Sequence, residues 1–546
     1  MKKFLIYFLL ILMVMITSCV SKEQAELIVY NANIYTVDSA FSKATAFAVK
    51  EGRFVAVGSD ADVLNHFESS NTIDAAGKPL YPGFNDGHSH FLGYGIWKTL
   101  YGNLVNTTSM EDVVDRLKKY NNTHHPEWLL GKGWDQNDWE NTDFPTNELL
   151  NKTFPDKPVV LTRIDGHAVL ANDVALKIAG IGAQTKMAGG EVVLKNGKPT
   201  GVLVDNAADL MKSFVPTFTR EQKTVALQRA QTDCFAVGLT TVTDAGLDKS
   251  DILLMDSLQQ QNILKMRVYA MINPNRENFD FFYHQKPWHK ERLTVSAVKL
   301  YIDGALGSRG ALLLKEYSDD SGNIGLRLHQ PAYYDTMCQK AYNAGFQVNT
   351  HAIGDSGNRI MLRTYAKFLK GKNDRRWRIE HAQVINPDDF HYFGDYAIIP
   401  SVQATHCTSD MYWADERLGK KRLKSAYAYH DLLLQNGWLV NGTDFPIEDI
   451  SPIKTFYAAV VRKDLKGWPE KGFQTENALS REDALRSITI WPAKGSFDEQ
   501  QKGSIEPGKM ADFVVLDNDL MTANEKDLYK VKVLSTWVNG EKVFGK

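Results

Sequence analysis

The sequence predicts an α/β fold. The expected architecture is a (β/α)8 TIM barrel, a discontinuous β-sandwich domain drawn from both termini, and an insertion after the first barrel strand. Three observations predict it. From about residue 81 to 495, short apolar β runs alternate with helical stretches, the pattern of parallel βα units. Both ends of the chain read instead as small strands separated by turn residues. The stretch 100–235 is too long for one βα connection, so residues 100–220 read as an insertion with small strands of its own.

The chain begins with a targeting pattern. Lys2 and Lys3 precede an apolar run from Phe4 to Ile16. That run is shorter than the ~20 residues a helix needs to span a bilayer, and it has the form of a signal-peptide core. Ile16-Thr17-Ser18-Cys19 resembles a bacterial lipobox. The expectation is a lipoprotein signal peptide over 1–18, lipid on Cys19 and a polar tether over 19–25. The body would then be anchored to a membrane of the bacterial cell envelope, on its periplasmic or surface face. An uncleaved membrane anchor is the competing reading.

Residues 26–80 and 496–546 make the composite β domain. Leu27 to Tyr30, Ala46 to Val49 and Phe54 to Val57 read as strands, and Ala61 to Phe67 as a short helix capped by Asp60. Asp512 to Leu516 and Val531 to Val538 match them in character. Asn539-Gly540 signals a hairpin into Lys542-Val543-Phe544. Within the barrel, 81–495, the first strand is the run entering His88. The others are Leu239–Asp244, Met266–Ile272, Val295–Ile302, Phe346–Thr350, Trp377–His381, Ala397–Gln403 and Trp438–Val440, which completes eight. The insertion contributes Trp128–Leu130 and Val159–Arg163; insertions of this kind overhang the catalytic face of a barrel.

Composition excludes some classes. Sixty-three basic and 65 acidic residues leave a net charge of −2, which argues against nucleic acid as a partner. The four cysteines, Cys19, Cys234, Cys338 and Cys407, form no CxxC pair, so neither a disulfide framework nor a thiolate zinc site is indicated. P-loop and dinucleotide patterns are absent.

The chemistry lies at the strand ends. His88-Ser89-His90 sets two imidazoles two residues apart, on one side of an extended strand. Gly83 and Gly87 allow the backbone to turn and keep bulk away. Lys299 interrupts an apolar run, where it is costly to bury unless paired with an acid or converted to a carbamate by carbon dioxide. His351 and His381 end two further strands, and Asp444 follows the last. Each residue has a bland explanation: a core histidine, a paired lysine, a capping aspartate. Those explanations would have to hold independently at five strand ends, so a shared metal is the better reading.

Taken with Tyr81–His90, Gly131–Asn137, Leu161–His167, Lys299–Arg309, His351–Asn358, Glu380–Gln383, Ser401–His406 and Gly503–Asp512, the chain resembles the amidohydrolase superfamily. More narrowly, it resembles amidohydrolase family three, the branch that includes N-substituted formamide deformylase. The resemblance implies a distorted barrel. It implies one metal on His88, His90 and Asp444, and a second on His351 and His381, bridged by carbamylated Lys299. Zinc suits imidazole and carboxylate ligands. Asp444 would act as general base and then acid in hydrolysing a non-peptide amide, formamide or cyclic amide. Ala404 stands where the family usually has Pro, and Thr443 where it usually has Ser.

Trp134 and Asp135, with Trp139, are candidates for a substrate lid, and Asp165, His167 and His406 for substrate contacts. Asp355 and Glu380 are candidates for orienting the histidines. The expected partners are a small amide-type substrate and the membrane through Cys19, with a homodimer left open. Two alternatives remain: a deaminase of aromatic heterocycles, which generally lacks the lysine, and a non-catalytic ligand-binding surface lipoprotein, which would be free to lose Asp444.

Overall fold

The alternating middle of the chain folds into a parallel sheet in the computed structural model, which describes residues 22–545 apart from 165, 167, 188 and 189. The strands are β1 (Phe84–Ser89), β2 (Leu239–Leu247), β3 (Arg267–Ile272), β4 (Leu293–Tyr301), β5 (Gln347–Ala352), β6 (Arg378–His381), β7 (Ile399–Val402) and β8 (Val440–Asn441), hydrogen-bonded in that order. Trp288–His289 adds an antiparallel piece on β4. The result is a nearly closed eight-stranded parallel barrel with interleaved helices.

The seam between β8 and β1 is joined by individual bonds. The Asp444 N–H donates to the His88 carbonyl at 2.8 Å, and the His90 N–H to the Phe445 carbonyl at 2.9 Å. The backbones approach closely because two residues lack a Cβ. One on Gly87 would lie 2.1 Å from Val440 Cγ1, and one on Gly442 would lie 2.3 Å from the His88 nitrogen. Gly83 is constrained likewise, by Thr240 at 2.3 Å. Gly83 and Gly87 therefore keep bulk away from closely packed strands, the second of the two roles expected for them.

The first barrel strand differs from the expected one. The apolar run Pro79–Pro82 belongs to the β domain, paired antiparallel with Phe513–Leu516 and parallel with Asn33–Tyr35. The chain changes partners at one residue: the Gly83 N–H donates to the Asp512 carbonyl, the Phe84 N–H to the Gly238 carbonyl. The barrel strand is the next segment, which contains His88 itself.

Among the described residues the β domain has two larger sheets, beside a two-stranded pairing of Glu23–Gln24 with Phe67–Glu68. One orders Arg53–Gly58, Ala46–Lys50, Leu27–Tyr30 and Thr72–Asp74. The other orders Glu541–Phe544, Val533–Val538, Phe513–Leu516, Pro79–Pro82, Asn33–Tyr35 and Lys43–Ala44. Val29, Phe47 and Phe54 from the first share one apolar cluster with Ile34, Leu80, Phe513 and Trp537 from the second. Phe47 packs edge-on against Phe513 at 4.9 Å. The helix Asp60–His66 is capped by Ser59, not Asp60. Ser59 Oγ accepts the Asp62 N–H while Asp62 accepts the Ser59 N–H, a reciprocal box that a serine at 59 and an aspartate at 62 can form.

Residues 91–232, with 257–264, form a second compact unit. Its sheet orders Gly102–Asn103, Leu129–Trp134, Val159–Arg163, Ala168–Ala171, Lys198–Asp205 and Gly190–Lys195. Among the described residues of the whole chain, no helix is long and apolar enough to cross a membrane. The signal-peptide and Cys19 expectations lie outside the described residues.

Candidate metal centre

Several barrel strands bring polar side chains to one end of the sheet. β1 places His88 in the bore with no exposed surface. Its Nδ1 lies 2.5 Å from Glu380 Oε2, and the same oxygen accepts the Ser401 hydroxyl at 2.6 Å. His381, at the end of β6, directs Nδ1 to Gln403 Oε1 at 2.6 Å. An amide oxygen and a carboxylate oxygen can only accept, so Nδ1 is the protonated nitrogen in both rings and the Nε2 lone pairs remain for a cation.

Asp444 closes the group. His88, His381 and Asp444 each offer a donor atom within 4.8 Å of the others, all three buried. His90 Nε2 lies 3.2 Å from Asp444 Oδ1, and His88 Nε2 lies 3.6 Å from it. The backbone is strained there: φ is +73° at His381, +43° at Ala382 and +61° at Asp444. Non-glycine residues adopt this region where their surroundings impose it, and such positions gather at functional sites.

Asp86 imposes it at Asp444. Its Oδ1 accepts the N–H groups of Thr443 (3.0 Å) and His88 (3.1 Å), and its Oδ2 accepts the Thr443 hydroxyl at 2.6 Å. A serine hydroxyl makes the same bond, so Thr443 preserves the link. Ala404 differs more, since its N–H donates to Asn441 Oδ1 at 3.2 Å, a bond proline lacks.

His351 stands beside His381, ring centroids 4.5 Å apart. Its Nε2 is buried with no hydrogen-bond partner, 3.6 Å from Asp303 Oδ1. Lys299 is 1% exposed and makes no ion pair among the described residues. Its Nζ lies 3.2 Å from His88 Nε2 and 4.9 Å from the centre of the Tyr301 ring. The acid-paired alternative for this lysine therefore finds no bonded acid.

The electrostatics fit a cation site. Burial, with Lys299 nearby, lowers His88 and brings His351 down to about 3; burial, with His351 nearby, depresses His381. All three rings are neutral donors at ordinary pH. Burial brings Lys299 down to about 8. Burial opposes ionisation of Asp444, but the His90 bond and the surrounding histidines outweigh it and hold that carboxyl well below the usual range. Neutral imidazoles, an ionised carboxylate, a lysine with no bonded acid and an orphaned ring nitrogen converge on one point, the donor set of a divalent metal.

The remaining candidates divide. His406 joins the centre, with Nε2 buried, unbonded and 3.6 Å from Asp444 Oδ2. Its ring lies parallel to that of His381 at 5.9 Å. Trp134 is 1% exposed in an apolar cluster of the second unit, and its indole N–H donates to the Leu161 carbonyl. With its ring packed and its donor satisfied, it has a packing place. Asp135 pairs with Arg163 at 2.6 Å and accepts the Asn137 N–H. Asp165 and His167 lie outside the described residues. Glu380 orients His88. Asp355 instead accepts the Leu314 N–H at 2.8 Å, tying down the loop after β4.

Sequence reasoning missed Asp86, Gln403 and Asp303. Asp303 accepts the N–H groups of Leu312, Ile353 and Gly354, and burial raises it to about 7. For Gln403 and Asp303 the available signal was the one used for Lys299, a polar residue inside or just past an apolar strand; Asp86, in the polar run Phe84–Ser89, had no such signal.

The profile of the amidohydrolase family matches residues 71–544. The chain is 33% identical over 541 residues to Protein LONG AFTER FAR-RED 3 of Arabidopsis thaliana, spanning 95% of this chain and 92% of that one. It is 25% identical over 544 residues to N-substituted formamide deformylase of Arthrobacter pascens, spanning 95% and 98%. Among solved structures it is similar to an uncharacterized metal-dependent hydrolase from Pyrococcus horikoshii, at 27% identity and a TM-score of 0.78, over 91% of this chain and 99% of that one.

Proposed function

The chain belongs to the amidohydrolase family and is a metal-dependent hydrolase of that superfamily, and from that premise we propose that it hydrolyses a non-peptide C–N bond in an amide, formamide or cyclic amide. The observation that carries this reading is the pairing of His88 and His381, both oriented through Nδ1, with Asp444 and a buried lysine that has no bonded acid.

His88, His90 and Asp444 would hold one zinc ion; His351, His381 and Lys299 as its carbamate would hold a second. A bound metal lowers the pKa of water toward neutrality and polarises a carbonyl. The chain's own residues do the rest. Glu380 and Gln403 fix the imidazoles, so no reorganisation is needed when substrate arrives. Asp444 takes a proton from the attacking water and delivers it to the leaving nitrogen, a role suited to an ionised carboxylate whose position Asp86 and Thr443 secure. His406, facing Asp444 from the next strand end, is placed to bind the substrate near the scissile bond. The buried lysine favours amide hydrolysis over deamination of a heterocycle.

The test is a screen of amides, N-substituted formamides and cyclic amides against zinc-loaded protein, with metal content measured in parallel. One to two zinc ions per chain and turnover of at least one class are expected. Full activity in metal-free protein would sink the reading. From the sequence alone we also propose lipid attachment at Cys19 and a place in the bacterial cell envelope. Cys19→Ala should release the protein from the membrane fraction, and unchanged fractionation would favour an uncleaved anchor.

A further inference from the structure

Arg378 is a further buried cation of the barrel, and no role assigned so far explains it. It opens β6 three residues before His381 and is 0% exposed. Its guanidinium makes one hydrogen bond, from Nη1 to the Gly87 carbonyl at 3.2 Å. Nε and Nη2 have no partner, and among the described residues the group forms no ion pair within 4.0 Å. A Cβ on Gly495 would lie 3.0 Å from Nη2, so that glycine leaves the space the group fills. The centre of the guanidinium sits 5.2 Å from the middle of the Tyr269 ring.

A full charge held by so little is expensive to bury, and an apolar residue of similar size would pack there at lower cost. The benefit must lie in what the charge acts on. Two features identify it. Residues 378 and 380 are two apart on one strand, so both side chains point into the bore. Glu380 there bonds through Oε2 alone, to His88 and Ser401, while its Oε1 has no hydrogen bond. The single bond Arg378 does make reaches the residue immediately before His88. Its one bond thus reaches the backbone beside His88, and it shares a strand face with the carboxylate that orients that ring.

We infer that Arg378 is a positioning residue for the metal centre: it anchors the β1 backbone at Gly87 and supplies the counter-charge for Glu380, so that His88 presents Nε2 to the metal. The inference rests on the metal reading above. It adds that a cation touching neither metal nor substrate sets the affinity of the centre.

The experiment measures zinc affinity of the full chain by competition with a chromophoric chelator, with no substrate present. Wild type, Arg378→Met and Arg378→Lys are compared, and circular dichroism of the metal-free proteins checks the fold. Arg378→Met should weaken zinc binding by about 10–100-fold, the usual effect of losing a partner that orients a ligand. Arg378→Lys should recover part of that loss because it restores the charge. Unchanged affinity in Arg378→Met would overturn the inference, as would equal weakening in both variants, since packing and not charge would then be responsible. If Arg378→Met does not fold, Gly495→Ala keeps the charge but displaces the guanidinium; weakened zinc binding there supports the inference and unchanged binding overturns it. A wild-type protein that takes up no zinc would overturn the metal reading itself, an outcome visible before any variant is compared.

Discussion

Two buried cations of the barrel, Arg267 and Lys299, are set in opposite ways. Arg267 opens β3 beside the β domain. Its Nε and Nη2 bond Asp512 at 2.6 and 3.0 Å, its Nη1 donates to the Glu291 carbonyl at 2.9 Å, and Nη2 also reaches Asn539. Every arm of the fork is engaged, and the pair ties the barrel to the C-terminal strands. Lys299, near the far end of β4, has a histidine nitrogen at 3.2 Å and an aromatic ring, and no acid. Burial of a charge is common to both, so burial does not separate structure from function here. The account of partners separates these two: Arg267, with its bonds complete, holds the fold, whereas Lys299, with no bonded acid, faces the donors of the metal centre.

Variants can break that comparison. The largest effect is expected at the functional end. Asp444→Asn removes the proton carrier but keeps the shape, so kcat should fall about 10²–10⁴-fold on whichever amide the screen identifies. The urea midpoint of the metal-free protein should hardly move; a large loss of stability with little loss of rate would reverse the assignment. Arg267→Met should do the opposite. It leaves Asp512 buried without its partner, a loss of about 3–5 kcal/mol read by urea unfolding, while kcat/KM of the protein that remains folded stays at the wild-type value. Lys299→Met is the sharper test because it removes a cation that has no bonded acid to strand. Metal-free protein carrying it should be as stable as wild type or more stable by about 1–4 kcal/mol, yet should lose the activity. Destabilisation on the scale of Arg267→Met would show that Lys299 is a structural charge after all.

The same distinction explains what could be read from the sequence. Long apolar runs announced the barrel: Leu293–Tyr301 and Arg267–Ile272 stand out because their neighbours are polar. Strand ends carrying His88, His351, His381 and Asp444 were visible as polar residues where an apolar run stops. Their convergence needed the closed sheet. Short edge pieces, Lys43–Ala44 and Asn33–Tyr35, carry too few residues to show a period. The hairpin of Gly190–Lys195 with Lys198–Asp205 had its signal in Asn196-Gly197, both at positive φ, and the reading passed over it. The apolar run into His88 reads as the first barrel strand, yet Pro79–Pro82 pairs within the β domain, because an apolar run states that it is buried, not against what. Asp86 was out of reach for a different reason. Its partners at Thr443 lie 357 residues along the chain, and no local pattern records a bond of that span.

The smallest expected effect concerns a buried acid rather than a buried cation. Asp410 follows His406 by four residues on the helix Ala404–Asp410 and accepts from the Tyr427 hydroxyl at 2.8 Å and from Gln383 Nε2 at 3.2 Å. Its hydrogen-bond donors are neutral, and burial carries it from its ordinary 3.8 to about 6. The folded protein therefore holds a proton there that the unfolded chain has released between about pH 4 and pH 6. Stability from this group is fully present below pH 4 and is lost as pH rises through 6, at no more than roughly 1.4 kcal/mol per pH unit. Asp410→Asn cannot titrate but retains an acceptor for Tyr427. The difference in urea-unfolding free energy between wild type and this variant should change across pH 4–6 and level off above it. A difference independent of pH would mean that Asp410 ionises as freely in the folded protein as outside it, and that two neutral hydrogen bonds can do for a buried carboxylate what Asp512 does for Arg267.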